Sequence, residues 1–147
     1  MEPSEKYIYW EEAAKYDLET AKAMLAAGRY LYVVFMCQQA IEKQVKGLHV
    51  LYTGDEAKRT HNIWIIFDAI FGKEEYSSLV MNESFDQKVA EHKPFFADLL
   101  YYYISERYPA YKQKVSERVG EVKAQEVLTR TEGVFLWLQS LSQFSKQ

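Results

Sequence analysis

Apolar residues recur at intervals of three and four along almost the whole chain, and nowhere do they alternate with polar ones over a strand's length. That period belongs to helices buried along one stripe, and it excludes a core built on sheets. Breakers are few: Pro3, Pro94, Pro109 and six glycines in 147 residues. Long, rarely interrupted helices follow, in a single domain over residues 1–147.

Ser4 is the expected cap of a first helix reaching about Ala27, with Glu5 adding favourable charge to its first turn. Its inward positions are Trp10, Ala13, Ala14, Leu18, Ala21, Met24 and Leu25, and Gly28 suits a left-handed close. A second helix, Tyr30 to Tyr52, ends at Thr53-Gly54. One side carries Val33, Cys37, Ala40, Ile41, Val45, Leu48 and Leu51; the other carries Gln38, Gln39, Glu42, Lys43, Lys46 and His49. It reads as strongly two-faced, paired with the first helix as an antiparallel hairpin.

Thr60 or Asn62 is placed to cap a short third helix through Phe71, and residues 72–82 read as loop or broken helix. The helical pattern resumes at Glu83, where Pro94 either kinks it or opens a fresh helix. Phe95, Phe96, Leu99, Leu100, Tyr103 and Ile104 form its core stripe, which stops before Pro109. A last helix, about Val122 to Phe144, turns Val127, Leu128, Val134, Phe135, Leu138 and Leu141 inward. The expected fold is all-α: an antiparallel, up-and-down bundle of four to five helices.

Charge and cysteine content narrow the function. A net charge of −3 provides no strong field for nucleic acid phosphates. A lone cysteine, Cys37, allows neither an intrachain disulfide nor a thiolate metal cage. His49, His61 and His92 lack metal-ligand spacing, so neither metal nor cofactor is expected. The polar, acidic beginning does not read as a signal peptide, and charges break every apolar cluster, so a cytoplasmic protein without membrane attachment is expected.

Particular residues on this frame carry more than the pattern does. Trp10, Ala14, Asp17, Leu18 and Ala21 are followed by Gly28-Arg29-Tyr30, then by Phe35 and the run Gln38-Gln39-Ala40-Ile41-Glu42-Lys43 with Lys46. Thr60-His61 and Arg107-Tyr108-Pro109 come after them. This ordered series resembles the HEPN (higher eukaryote and prokaryote nucleotide-binding) family over nearly the whole chain. The resemblance implies a helical bundle that is often a homodimer. Small stand-alone members are often paired with a minimal nucleotidyltransferase, some as toxin and antitoxin. Many HEPN proteins are metal-independent ribonucleases whose active site is an Arg and a His with four to six residues between them. Here Lys112, Gln113 and Lys114 occupy the spacing of that His after Arg107, and Tyr108 replaces the usual polar residue. Lysine, whose ordinary pKa is about 10.4, is a poor proton carrier at neutral pH. No catalytic residue is therefore assigned.

The remaining candidates each admit two readings. Asp17 lies within the apolar stripe of the first helix, so its carboxylate needs a partner from the second helix or His61. It is either a structural tie or a ligand contact; Glu42 is grouped with it as a structural, buried polar residue. Gln39, Lys43 and Lys46 are either a phosphate- and base-reading surface or a solvated face with an internal Glu42–Lys46 pair. His61 is a ligand contact or a packing residue near a cap. Arg107 and Tyr108 either bind phosphate and stack on a base, or cap a helix end. Phe35, among polar positions, reads as an exposed ring at a dimer contact.

The leading expectation is a non-catalytic nucleotide- or RNA-binding protein, partnered with a nucleotidyltransferase. Nucleotide contacts fall to Gln39, Lys43, Lys46, His61, Arg107 and Tyr108. The rivals are a degenerate or alternative-site ribonuclease toxin and a structural dimerisation module without ligand.

Overall fold

The computed structural model of the chain describes residues 1–107 and 119–145, except the side chains of Glu106 and Arg107. Among these residues there are six α-helices and no strand: α1 (Pro3–Ala26), α2 (Tyr30–Thr53), α3 (Ile63–Phe71), α4 (Glu74–Val80), α5 (Glu83–Arg107) and α6 (Glu121–Leu141). A 3₁₀ turn, Ser142–Phe144, follows α6. The all-α bundle is as expected, and α4 is a short helix within residues 72–82, which read as loop or broken helix.

The two ends of the α1–α2 hairpin show how local chemistry sets the bundle. Pro3 opens α1, where its missing N–H costs nothing, so Glu2 and not Ser4 takes the capping position. At the other end Gly28 adopts φ 74°, Gly28 N–H donates to Leu25 O at 3.1 Å, and Arg29 N–H donates to Met24 O at 2.8 Å. That is a Schellman close, and it turns the chain directly into α2. Gly54, at φ 81°, ends α2 in the same left-handed conformation.

α2 is the axis of the molecule. It packs against α1, α3, α5 and α6, and its buried residues include Gln38, Glu42 and Gln44 as well as the apolar stripe. The two-faced reading of this helix is therefore corrected. Neighbours cover its polar side too, and a polar side chain there is buried wherever a partner waits for it. Phe35 is also corrected: it is half-buried and stacks on Tyr103 of α5 at 5.6 Å between ring centroids.

Asn62, not Thr60, caps α3, accepting from Trp64 N at 3.1 Å and Ile65 N at 3.4 Å. Phe67 and Phe71 then meet Phe85 of α5 in an aromatic cluster, and Phe67 also lies beside Phe96 and Trp137. Pro94 sits inside α5 without dividing it. Phe95, Phe96, Leu99 and Tyr103 are buried as expected from the stripe, whereas Ile104 is exposed. α6 ends at Leu141, earlier than Phe144, and all six of its expected inward residues are buried.

Two features of the packing are directly testable. A Cβ added at Gly47 would lie 2.9 Å from Trp10 Cβ and 3.2 Å from Tyr7 Cδ1, so α1 and α2 approach too closely there for any side chain. Gly47→Ala is expected to cost about 1–3 kcal/mol by denaturant unfolding, the usual penalty of overpacking. His92 is buried beside Trp137, ring centroids 5.0 Å apart, and neither ring nitrogen has a hydrogen-bond partner among the described residues. Burial lowers its pKa from the ordinary 6.5. The unfolded chain then takes up the proton first as pH falls, so the contribution of His92 to stability is constant above about 6.5 and declines below it. Thermal melts from pH 7.5 to 5 should show this decline, and His92→Phe should flatten it.

Candidate functional site

The expected site residues fall into two polar ties on α2 and one exposed ring. The first tie joins the hairpin. Asp17, 5% exposed on α1, meets Lys43 Nζ at 2.7 Å. The contact is an ion pair without aligned hydrogen-bond geometry at Asp17 Oδ2. Lys43 keeps 30% of its side chain exposed, so its ammonium is shared between the carboxylate and water.

The second tie is denser. Glu42, 4% exposed, receives Lys46 Nζ on Oε2 at 2.8 Å. On Oε1 it receives Gln38 Nε2 at 2.8 Å and His61 Nδ1 at 2.9 Å. Gln38 Nε2 also donates to the His61 carbonyl at 3.1 Å, and Gln38 Oε1 accepts from Gln39 Nε2 at 2.6 Å. Both Glu42 oxygens act as acceptors, so Nδ1 must carry hydrogen in this bond. Nε2 is then the remaining polar atom of an imidazole that is 51% exposed.

The His61 ring has a second constraint. It stacks on buried Tyr103 at 4.2 Å with 27° between planes, and Tyr103 stacks in turn on Phe35. A carboxylate on one edge and a phenol on one face hold a ring whose outer edge stays wet. Arg107 stands one helical turn beyond Tyr103 in α5. The Arg107 side chain and all of Tyr108 lie outside the described residues.

The structure therefore brings Gln39, Glu42, Lys46 and His61 together and sets Lys43 with Asp17 on a neighbouring face. It corrects one premise of the phosphate-reading face. Lys43 and Lys46 are each committed to a buried carboxylate, so they do not form a free basic pair. Sequence reasoning missed Gln38, Tyr103 and Phe35 as parts of this arrangement. The four-residue step from Gln38 to Glu42 was the available signal for the first; the helical stripe marked Tyr103 for burial, but nothing local pointed its ring at His61.

Other reactive groups are placed less favourably for chemistry. Cys37 is buried, and burial pushes its thiol up to about 12, so it stays protonated. Gln44, fully buried, donates to Tyr7 Oη at 2.9 Å, and Tyr7 donates to Glu11 at 2.6 Å, which ties α1 to α2 a second time. No group of three or more His, Cys, Asp or Glu among the described residues could hold a metal ion. No described helix is long and apolar enough to cross a membrane.

Fold and site together define a helical-bundle protein whose central helix carries a buried carboxylate tied to an exposed histidine. The HEPN domain family model matches residues 7–141, and the chain belongs to that family. Among solved structures, it is similar to the crystal structure of TT1696 from Thermus thermophilus, at 21% identity and a TM-score of 0.69. The likeness covers 92% of this chain and 98% of that one, and it concerns the fold alone. No curated protein sequence matches.

The two ties should differ in energetic weight. Glu42→Ala strands three donors, whereas Asp17→Ala strands one cation that still reaches water. Asp17→Ala is expected to cost about 1–3 kcal/mol, below the ~3–5 of a wholly buried pair. Glu42→Ala should cost more than Asp17→Ala in the same urea titration. The reverse order would mean that the hairpin pair, and not the Glu42 cluster, organises α2.

Proposed function

We propose that this HEPN protein is a non-catalytic binder of nucleotide or RNA, acting with a minimal nucleotidyltransferase as in a toxin–antitoxin pair. The observation that carries the reading is His61: half exposed, yet fixed by Glu42 and Tyr103. A ring held this way loses little freedom on meeting a ligand, and its face or its Nε2 suits a base or a phosphate oxygen. Gln39 joins the cluster through Gln38 on α2, and in this reading Arg107 and Tyr108, whose side chains lie outside the described residues, add phosphate contact and stacking. Lys43 and Lys46 act here mainly by field, because their charges are shared with Asp17 and Glu42.

A cytoplasmic homodimer is part of this reading. Two-fold symmetry would bring two copies of the His61 face to one anionic ligand. Sedimentation at micromolar concentration should then report about twice the chain mass of 17.3 kDa.

The binding test is a titration with ATP and with a short single-stranded RNA at two salt concentrations. Weak binding that weakens further with salt is expected, with His61→Ala and Arg107→Ala each reducing it roughly tenfold. Lys43→Ala and Lys46→Ala should reduce it less. Binding unaffected by His61→Ala and Arg107→Ala removes the site; no binding at all favours a structural module.

The same observation favours one second reading, an alternative-site ribonuclease. An imidazole backed by a buried carboxylate is a proton carrier in form, although His61 does not stand at the family's spacing from Arg107. RNA incubated with the protein and a chelator should remain intact. Cleavage that disappears in His61→Ala would establish the enzyme instead.

A further inference from the structure

The outer face of α1 carries a repeat that neither the fold nor the His61 site uses. Glu5, Tyr9, Glu12, Tyr16, Glu19 and Ala23 succeed one another in steps of four and three, and all six are exposed. Tyr9 and Tyr16 are 71% and 73% exposed, unusual for rings on a helix whose other side is packed. The stripe is about 27 Å long at 1.5 Å per residue.

Its charge is uncompensated. Glu5, Glu12 and Glu19 form no ion pair among the described residues. Two of the helix's three lysines are drawn elsewhere, Lys15 to Glu11 at 3.4 Å and Lys22 across to Glu132 of α6 at 3.6 Å, and the third, Lys6, lines the cavity at the start of the helix. Glu5 is favoured by the positive end of α1, but Glu19 lies in the second half of the helix, and the last turn has no basic residue. The intramolecular energetics therefore give no account of three carboxylates in one row.

At its amino-terminal end the stripe runs into a cavity of about 330 Å³ lined by Met1, Lys6, Tyr9, Trp10 and Glu56. Trp10 Nε1 donates to Glu56 at 3.2 Å, which fixes the indole as one wall and leaves a carboxylate at the rim. Lys6 and Glu56 balance each other at this rim and the rest of the lining is apolar, so the cavity suits an uncharged apolar side chain.

We propose that the α1 face docks a basic amphipathic helix of a protein partner. Arg or Lys side chains at heptad spacing on that helix would meet Glu5, Glu12 and Glu19. Their cationic groups would lie over the Tyr9 and Tyr16 rings, and an apolar side chain of the same helix would enter the cavity beside Trp10. The sign of the stripe turns away nucleic acid and anionic lipid. A second copy is also disfavoured, because a two-fold contact across α1 sets carboxylates against carboxylates. This docking face is independent of the nucleotide reading.

The test uses the full chain and two synthetic helical peptides of equal length and apolar pattern, one with Arg at the heptad positions and one with Glu. Fluorescence anisotropy should show that the Arg peptide binds, and that binding weakens as salt rises. The Glu peptide should not bind. Glu12→Lys and Tyr16→Ala, both at exposed positions, should each weaken binding about tenfold or more, with unchanged far-UV circular dichroism. Absence of binding by the Arg peptide, equal binding of both peptides, or full binding by both folded variants would overturn the proposal.

Discussion

A carboxylate in the middle of the central helix is expensive to bury, and the way Glu42 is satisfied organises much of what surrounds it. Its two oxygens take donors from Lys46, Gln38 and His61. Two of these come from α2 itself, at four-residue steps, and are supplied by local geometry. The third requires the connection after α2 to return across the helix, so that the His61 backbone carbonyl can also accept from Gln38. Once that segment is pinned, Asn62 is in place to cap α3, and α3 delivers Phe67 and Phe71 to the core. A polar requirement thereby fixes the entry point of an apolar element.

This arrangement separates charge from exposure. The residues with the most obvious capacity for phosphate, Lys43 and Lys46, are held by carboxylates, and the exposed ring of the Glu42 cluster is an imidazole. In the proposed function, such a surface would recognise a ligand by shape and hydrogen bonding more than by bulk charge, in keeping with a net charge of −3. It also gives the departure from the family's ribonuclease spacing a structural setting. A histidine is present beside α5, but it comes from the loop before α3 and is tied to α2.

Much of the fold was legible because its punctuation is local. Gly28 and Gly54 mark the ends of the hairpin by a conformation that glycine adopts without strain, and Asn62 marks α3 by a side-chain cap. α4 was only half legible: residues 72–82 read as loop or broken helix, because seven residues carry too little periodicity to decide between the two. The polar side of α2 misled for a different reason. A helical wheel equates polar with exposed, but Gln38 and Glu42 are buried because partners distant in sequence satisfy them. Phe35, read as a lone exposed ring, is half covered by Tyr103, 68 positions later in the chain. Asp17 is buried on α1 with a partner on α2; Arg107 and Tyr108 have no described side-chain geometry to compare.

The central claim is that Glu42 holds the His61 ring by its Nδ1–H and leaves Nε2 outward. The ¹⁵N and ¹H correlations of the His61 imidazole report this directly at a pH where the ring is neutral. The account predicts hydrogen on Nδ1 in the native protein and loss of that preference in Glu42→Gln, whose amide no longer offers two acceptor oxygens. A native His61 protonated on Nε2 alone, or one whose tautomer is indifferent to Glu42→Gln, would contradict it.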